Sequence, residues 1–171
     1  FEEKDFNDSS LKSFQKRDRY IDTYHVLNKD VFNQLSKITN KPIIQIPFWI
    51  NQNIFFEIEN NKKLRKEFNF SDNDFLIGSF QRDTEGHDLK SPKLIKGPDR
   101  LLEILISYNN KVENLKVILT GKRRQYIISE LNKNNIKFKY FEDCSFEDLN
   151  KLYNCLDLYI VSSRTEGGPF S

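Results

Sequence analysis

A chain of 171 residues can bury one hydrophobic core, with room for a fragment of a second domain but not for two complete ones. Its 27 Lys and Arg against 25 Asp and Glu leave a net charge of +2, too weak a field to make nucleic acid the default partner. Cys144 and Cys155 lack the second pair that a metal cluster or disulfide framework needs, and no apolar run approaches the roughly 20 residues that span a bilayer.

The chain opens at Phe1 without a methionine and closes at Ser171 just after a Gly-Gly-Pro turn, so both ends are expected to be internal to a longer protein. Up to about Tyr20 the sequence reads as polar and irregular. Residues 21–27 then read as a short strand, 29–38 as a helix and 43–46 as another strand. Pro47 and the aromatic run through Phe56 break all periodicity, as a crossing between domains does, which places a boundary near residue 50.

Beyond it, a charged helical stretch at 60–68 leads through Asp72-Asn73-Asp74 into a buried strand, 75–80. A long polar loop, 81–96, follows. Gly97-Pro98-Asp99 then opens a helix whose Leu101, Leu102, Ile104, Leu105 and Ile106 can cover a sheet. Strands at 115–121, 136–141 and 156–161 alternate with helices at 123–132 and 146–153, the latter preceded by Ser145 as a cap candidate.

Short apolar strands alternating with helices specify an α/β fold, a Rossmann-like doubly wound parallel sheet. In its common topology the first and fourth strands are neighbours whose outgoing chains diverge, and ligands sit in that crevice. The loops after 75–80 and 156–161 should therefore rim one cleft. With no strand beyond 156–161 the sheet would keep an open edge there, and the isolated chain is expected to be poorly stable and inactive alone.

Three sets of residues could carry chemistry at that cleft. Ser162-Ser163-Arg164-Thr165-Glu166-Gly167-Gly168-Pro169-Phe170-Ser171 joins a buried strand to an expected helix, whose amides and dipole would attract phosphate where two glycines let a ligand come close. Glu166 would accept hydrogen bonds from sugar hydroxyls; the same spacing equally suits a helix entrance with a solvated Glu. Arg82 and Lys96 flank the long loop and could neutralise a diphosphate, although either alone fits a solvated surface charge. Gly78 and Ser79 at the end of the first strand would line the cleft, and Phe141 either lines a base pocket or packs in the core. His25 and His87 belong to no catalytic or metal pattern.

These residues resemble the group 1, family 4-like retaining glycosyltransferases of the GT-B fold over about residues 20–171. Ile43-Ile44-Gln45-Ile46-Pro47-Phe48-Trp49-Ile50-Asn51 is similar to the interdomain segment of that family. Leu76-Ile77-Gly78-Ser79, followed by Lys96-Gly97-Pro98-Asp99-Arg100-Leu101-Leu102, resembles its first strand and "K-G-x-d-x-l-l" helix. Val117 to Gly121 resembles its second strand, and Leu156 to Ser171 its "D-l-x-v-x-p-S-x-x-E-G-x-P" signature.

The resemblance implies that residues 1–50 end an acceptor-side domain and linker, and that 51–171 form a nucleotide-sugar donor domain cut before its last strands. It implies Lys96 and an Arg on the donor diphosphate, Glu166 on the donor sugar, and the backbone of 167–171 near sugar and phosphate. In that family the Arg follows the first-strand Gly directly, where this chain has Ser79; Arg82 stands in. Glu166 would begin an E-x7-E element whose second Glu lies beyond Ser171. The implied activity is hexosyl transfer from a nucleotide sugar to a glycan, lipid-linked or protein acceptor, in glycan or polysaccharide biosynthesis. No metal or cofactor is expected, and the implied setting is cytoplasmic with peripheral membrane association through parts of the protein outside this chain. A nucleotide-sugar 2-epimerase, revealed by epimerised sugar in a donor-only assay, and a non-catalytic flavodoxin-like binding module are the alternatives.

Overall fold

The computed structural model describes residues 8–166. Contacts divide it into two units, one ending at Trp49 and the other beginning at Ile50.

The first unit contains α1 (Asp8–Asp18), β1 (Tyr24–Val26), α2 (Lys29–Leu35) and β2 (Ile43–Gln45), with β1 and β2 paired in parallel. The stretch before Tyr20, expected to be irregular, is helical. Its apolar residues Leu11 and Phe14 are too few to register as a stripe, and what fixes α1 is tertiary. Phe14 stacks on Tyr24 with ring centroids 5.8 Å apart, and Asp18 accepts hydrogen bonds from Tyr24 Oη at 2.8 Å and Thr39 Oγ1 at 2.6 Å. Asn28 caps α2 by accepting from the Val31 amide at 2.9 Å, and the helix ends earlier than its apolar pattern suggested.

The second unit is built on α3 (Asn61–Glu67), β3 (Phe75–Ser79), α4 (Pro98–Asn109), β6 (Leu115–Thr120), α5 (Gln125–Lys133), β7 (Phe138–Phe141), α6 (Phe146–Cys155) and β8 (Leu158–Tyr159). The strands form one four-stranded sheet in the order β7-β6-β3-β8, every pair parallel. Alternation along the strands separates two cores. Ile77, Val117 and Leu119 face Leu101 and Leu105 of α4 and Ile127 and Leu131 of α5. Leu76 and Ile118 face Leu64 of α3 and Leu152 and Cys155 of α6. Helices thus cover both faces, the doubly wound arrangement expected.

Two elements depart from the sequence reading. The last strand pairs over only two residues, and from Ser162 onward the chain hydrogen-bonds the loop that precedes α4. The long loop at 81–96 is structured: β4 (Thr84–Glu85) and β5 (Ser91–Pro92) make a small antiparallel hairpin, and Leu94–Lys96 forms a 3₁₀ turn.

That hairpin is pinned to α5, which lacks a side-chain cap from its own preceding residue. Thr84 Oγ1 accepts from the Tyr126 amide at 2.8 Å and Asp83 Oδ1 from the Ile127 amide at 3.4 Å, so the loop caps the helix from outside. Asp83 Oδ2 also lies 2.7 Å from Nε of Arg124, and both side chains are buried. Burial pushes the Asp83 carboxyl up, opposed by the charge of Arg124 and the hydrogen bonds from Thr84 and Ile127.

The opposite end of the sheet is tied by a second buried cation. Arg65 of α3 donates from Nε and Nη2 to the Cys155 carbonyl at 3.1 and 2.8 Å and from Nη1 to the Asp74 carbonyl at 3.1 Å, and pairs with Asp157 at 2.8 Å. It thereby joins α3 to the start of β3 and the end of α6. Arg65→Met would strand these buried acceptors, and urea denaturation is expected to show a loss of about 3 kcal/mol.

Candidate functional site

The cleft lies at the carboxyl ends of β3 and β8, adjacent parallel strands whose chains leave toward α4 and toward residue 166. Gly97 brings the two outgoing segments together. Its φ is +63°, and a Cβ on it would stand 2.0 Å from the Ser162 carbonyl oxygen, so only glycine fits. Around that approach the segments are laced together. Ser162 Oγ donates to the Lys96 carbonyl at 3.0 Å, and the Arg164 amide donates to the Ile95 carbonyl at 2.9 Å. The Arg164 guanidinium donates to the Leu94 carbonyl at 2.6 Å and grips both carboxylate oxygens of Asp99, whose carboxyl this hydrogen bonding holds at about 2.

The consequence is a contact between residues 70 apart in sequence: Lys96 Nζ stands 2.6 Å from Glu166 Oε1. Both side chains are partly exposed, at 29% and 20%, so the pair borders solvent and can be approached by a ligand. Ser163 Oγ lies 2.6 Å from the same Glu166 oxygen and 2.6 Å from Gln81 Oε1. Burial alone would raise the Glu166 carboxyl. The hydrogen bonds from Lys96 and Ser163, with the charges of Lys96 and Lys93, outweigh it and hold Glu166 below the usual carboxylate range. Glu166 is therefore ionised at neutral pH, and its pairing with Lys96 is lost only as pH falls through that lowered value.

More positive charge collects here than Lys96 and Arg82 supply. Lys93 is pushed below the usual lysine range by burial and then by Arg82, Lys96 and Arg123, a mutual repulsion that an anionic ligand would relieve. Arg82 itself is exposed, on the segment between β3 and the hairpin. Arg123 belongs to the turn after β6, where its carbonyl accepts from the Asp83 and Thr84 amides at 3.3 and 3.0 Å. Neither Lys93 nor Arg123 stood out in the sequence; the only signal was the run Lys122-Arg123-Arg124 directly after a buried strand.

The other expected site residues fall as follows. Ser79 is buried at the end of β3. Gly78 lies inside the sheet, where a Cβ would meet Leu156 Cδ1 at 2.2 Å, so its small size leaves room for the Leu156 side chain after α6. The Phe141 ring packs edge-on against Phe68 at 5.7 Å, on the α3 and α6 face. Gly167, Gly168, Pro169, Phe170 and Ser171 lie outside the described residues.

No family model matches the sequence, and no curated protein matches it at a significant level. Solved structures do. Sucrose-phosphate synthase from Thermosynechococcus elongatus is 15% identical over 99% of this chain and 42% of its own, with a TM-score of 0.75. HepE from Anabaena, solved in complex with UDP and glucose, is 16% identical over 95% of this chain and 44% of its own, with a TM-score of 0.67. A glycosyltransferase from Rickettsia africae is 18% identical over 92% of this chain and 42% of its own, with a TM-score of 0.65.

The fold is that of the GT-B glycosyltransferases. This chain spans less than half the length of each of those three structures. Within it, the meeting of 94–99 with 162–166 depends on Gly97. Gly97→Ala adds both a left-handed alanine and a backbone clash, and is expected to cost about 2 kcal/mol or more in chemical denaturation. In two-dimensional amide NMR spectra, the largest shifts are expected at Ile95, Lys96, Ser162 and Arg164.

Proposed function

We propose that this chain grips the nucleoside-diphosphate-sugar donor of a retaining glycosyltransferase that moves a hexosyl group to a glycan, lipid-linked or protein acceptor in glycan or polysaccharide biosynthesis. The observation that carries the reading is the pair of Lys96 and Glu166, joined across the carboxyl ends of β3 and β8. A nucleotide sugar presents two chemistries a short distance apart, a diphosphate that wants cations and a sugar whose hydroxyls want acceptors. Lys96 and Glu166 offer one of each. The GT-B fold, and the UDP and glucose named for the HepE structure, support a uridine-linked sugar as the donor class.

Breaking the sugar–phosphate bond leaves growing negative charge on the departing diphosphate. A partly desolvated ammonium already in place stabilises that charge without reorganising at the moment of reaction. Lys96 fills this role, with Lys93 and Arg82 adding to the field. These cations supply the neutralising charge, so the mechanism needs no metal. Glu166, ionised and already oriented by Lys96 and Ser163, accepts from hydroxyls of the donor sugar.

In the full-length protein, Lys96→Ala is expected to lower turnover about 100-fold or more with the donor still bound; near-normal turnover would remove Lys96 from the chemistry. Glu166→Ala should act differently, flattening the preference between UDP-glucose and UDP-galactose by about tenfold. An unchanged ratio of kcat/KM for the two donors counts against its role.

A further inference from the structure

One proton at this site is claimed twice. Ser163 Oγ stands 2.6 Å from Gln81 Oε1 and 2.6 Å from Glu166 Oε1, yet a serine hydroxyl has a single proton to give. Gln81 Nε2, meanwhile, is buried with no hydrogen-bond partner among the described residues, an orphan donor in a region where orphans are costly. The two ends of a glutamine amide have the same shape, so turning the amide over settles the claim on the proton and puts Oε1, an acceptor, where the orphan donor stood. Nε2 then donates to Ser163 Oγ, and the hydroxyl proton is released to Glu166, which Lys96 already contacts. The backbone of Gln81 is held in place: its carbonyl accepts from the buried guanidinium of Arg124, itself paired with Asp83 at 2.7 Å.

We propose that Gln81 and Ser163 are positioning residues for Glu166: a one-way series of donors, amide to hydroxyl to carboxylate, sets the orientation in which Glu166 selects the donor sugar. The series links the segment after β3 to the segment after β8 by side chains, beside the backbone lacing at Gly97. It rests on the donor-sugar reading of Glu166, and it adds two residues with no direct contact to the sugar.

The direction of the series can be read by the sign of one shift. Gln81→Met keeps the length of the side chain and removes its hydrogen bonding. If the amide donates to Ser163, this variant weakens the hydroxyl as a donor, and the titration of the Glu166 carboxyl carbon, followed by NMR, moves to higher pH. If instead the hydroxyl gives its proton to Gln81, the same variant frees that proton for Glu166 and the titration moves to lower pH. A downward or absent shift overturns the proposal.

In the full-length protein, Gln81→Met and Ser163→Ala are both expected to lower the UDP-glucose to UDP-galactose ratio of kcat/KM about fivefold, with kcat for the better donor changing less, while Ser163→Thr retains the ratio. Should Gln81→Met fail to fold, the serine variants decide: equal ratios for Ala and Thr overturn the proposal. An upward Glu166 titration with unchanged donor selectivity overturns the positioning role, while the donor-sugar reading beneath it stands or falls separately with Glu166→Ala.

Discussion

Everything at the cleft follows from how closely two stretches of backbone come together at Gly97 and Ser162. At ordinary side-chain separations, Lys96 and Glu166 would each face water on its own loop. Gly97 has no Cβ, so the Ser162 carbonyl can occupy the space a side chain would fill. The Lys96 carbonyl, the Ile95 carbonyl and Asp99 then all find partners on the 162–164 segment. The ion pair is thus imposed by backbone geometry, and its charged groups need contribute little to holding the loops together.

Two buried arginines give that geometry a rigid base. Arg65 ties α3 to the amino end of β3 and the carboxyl end of α6, away from the cleft. Arg124 works at the cleft end, pairing with Asp83 and holding the Gln81 carbonyl. Arg65 is surrounded by two carbonyls and a carboxylate, which compensates for the loss of water around its guanidinium, whereas Arg124 has one carbonyl and the Asp83 carboxylate. The sheet between them carries the apolar cores on both faces, so the two loops are mounted on the least deformable part of the domain.

Much of this was legible in the sequence, for identifiable reasons. The buried strands show as uninterrupted apolar runs such as Val117-Ile118-Leu119, and Gly97-Pro98 marks the start of α4. Strand order followed from topology, and with it the expectation that Lys96 and Glu166 share a rim. What stayed hidden depends on partners far along the chain. Nothing local distinguishes Asp83, among several charged neighbours, as the cap of a helix 40 or more residues later. Helix α1 escaped notice because Phe14 is its main apolar anchor and the ring it stacks on belongs to Tyr24. The hairpin within 81–96 has strands too short to leave a period.

The capping of α5 by Asp83 and Thr84 also governs where an anion can go. A helix amino terminus ordinarily attracts phosphate, and the one following β6 stands at the same end of the sheet as the cleft. Here its first amides are taken by a carboxylate and a hydroxyl from the same chain, so that pole of the helix is closed to an incoming ligand. Negatively charged visitors are left with the cations gathered at the 93–96 turn, Lys93 and Lys96 with Arg82 and Arg123, and the segment that blocks the alternative is the one that delivers those lysines.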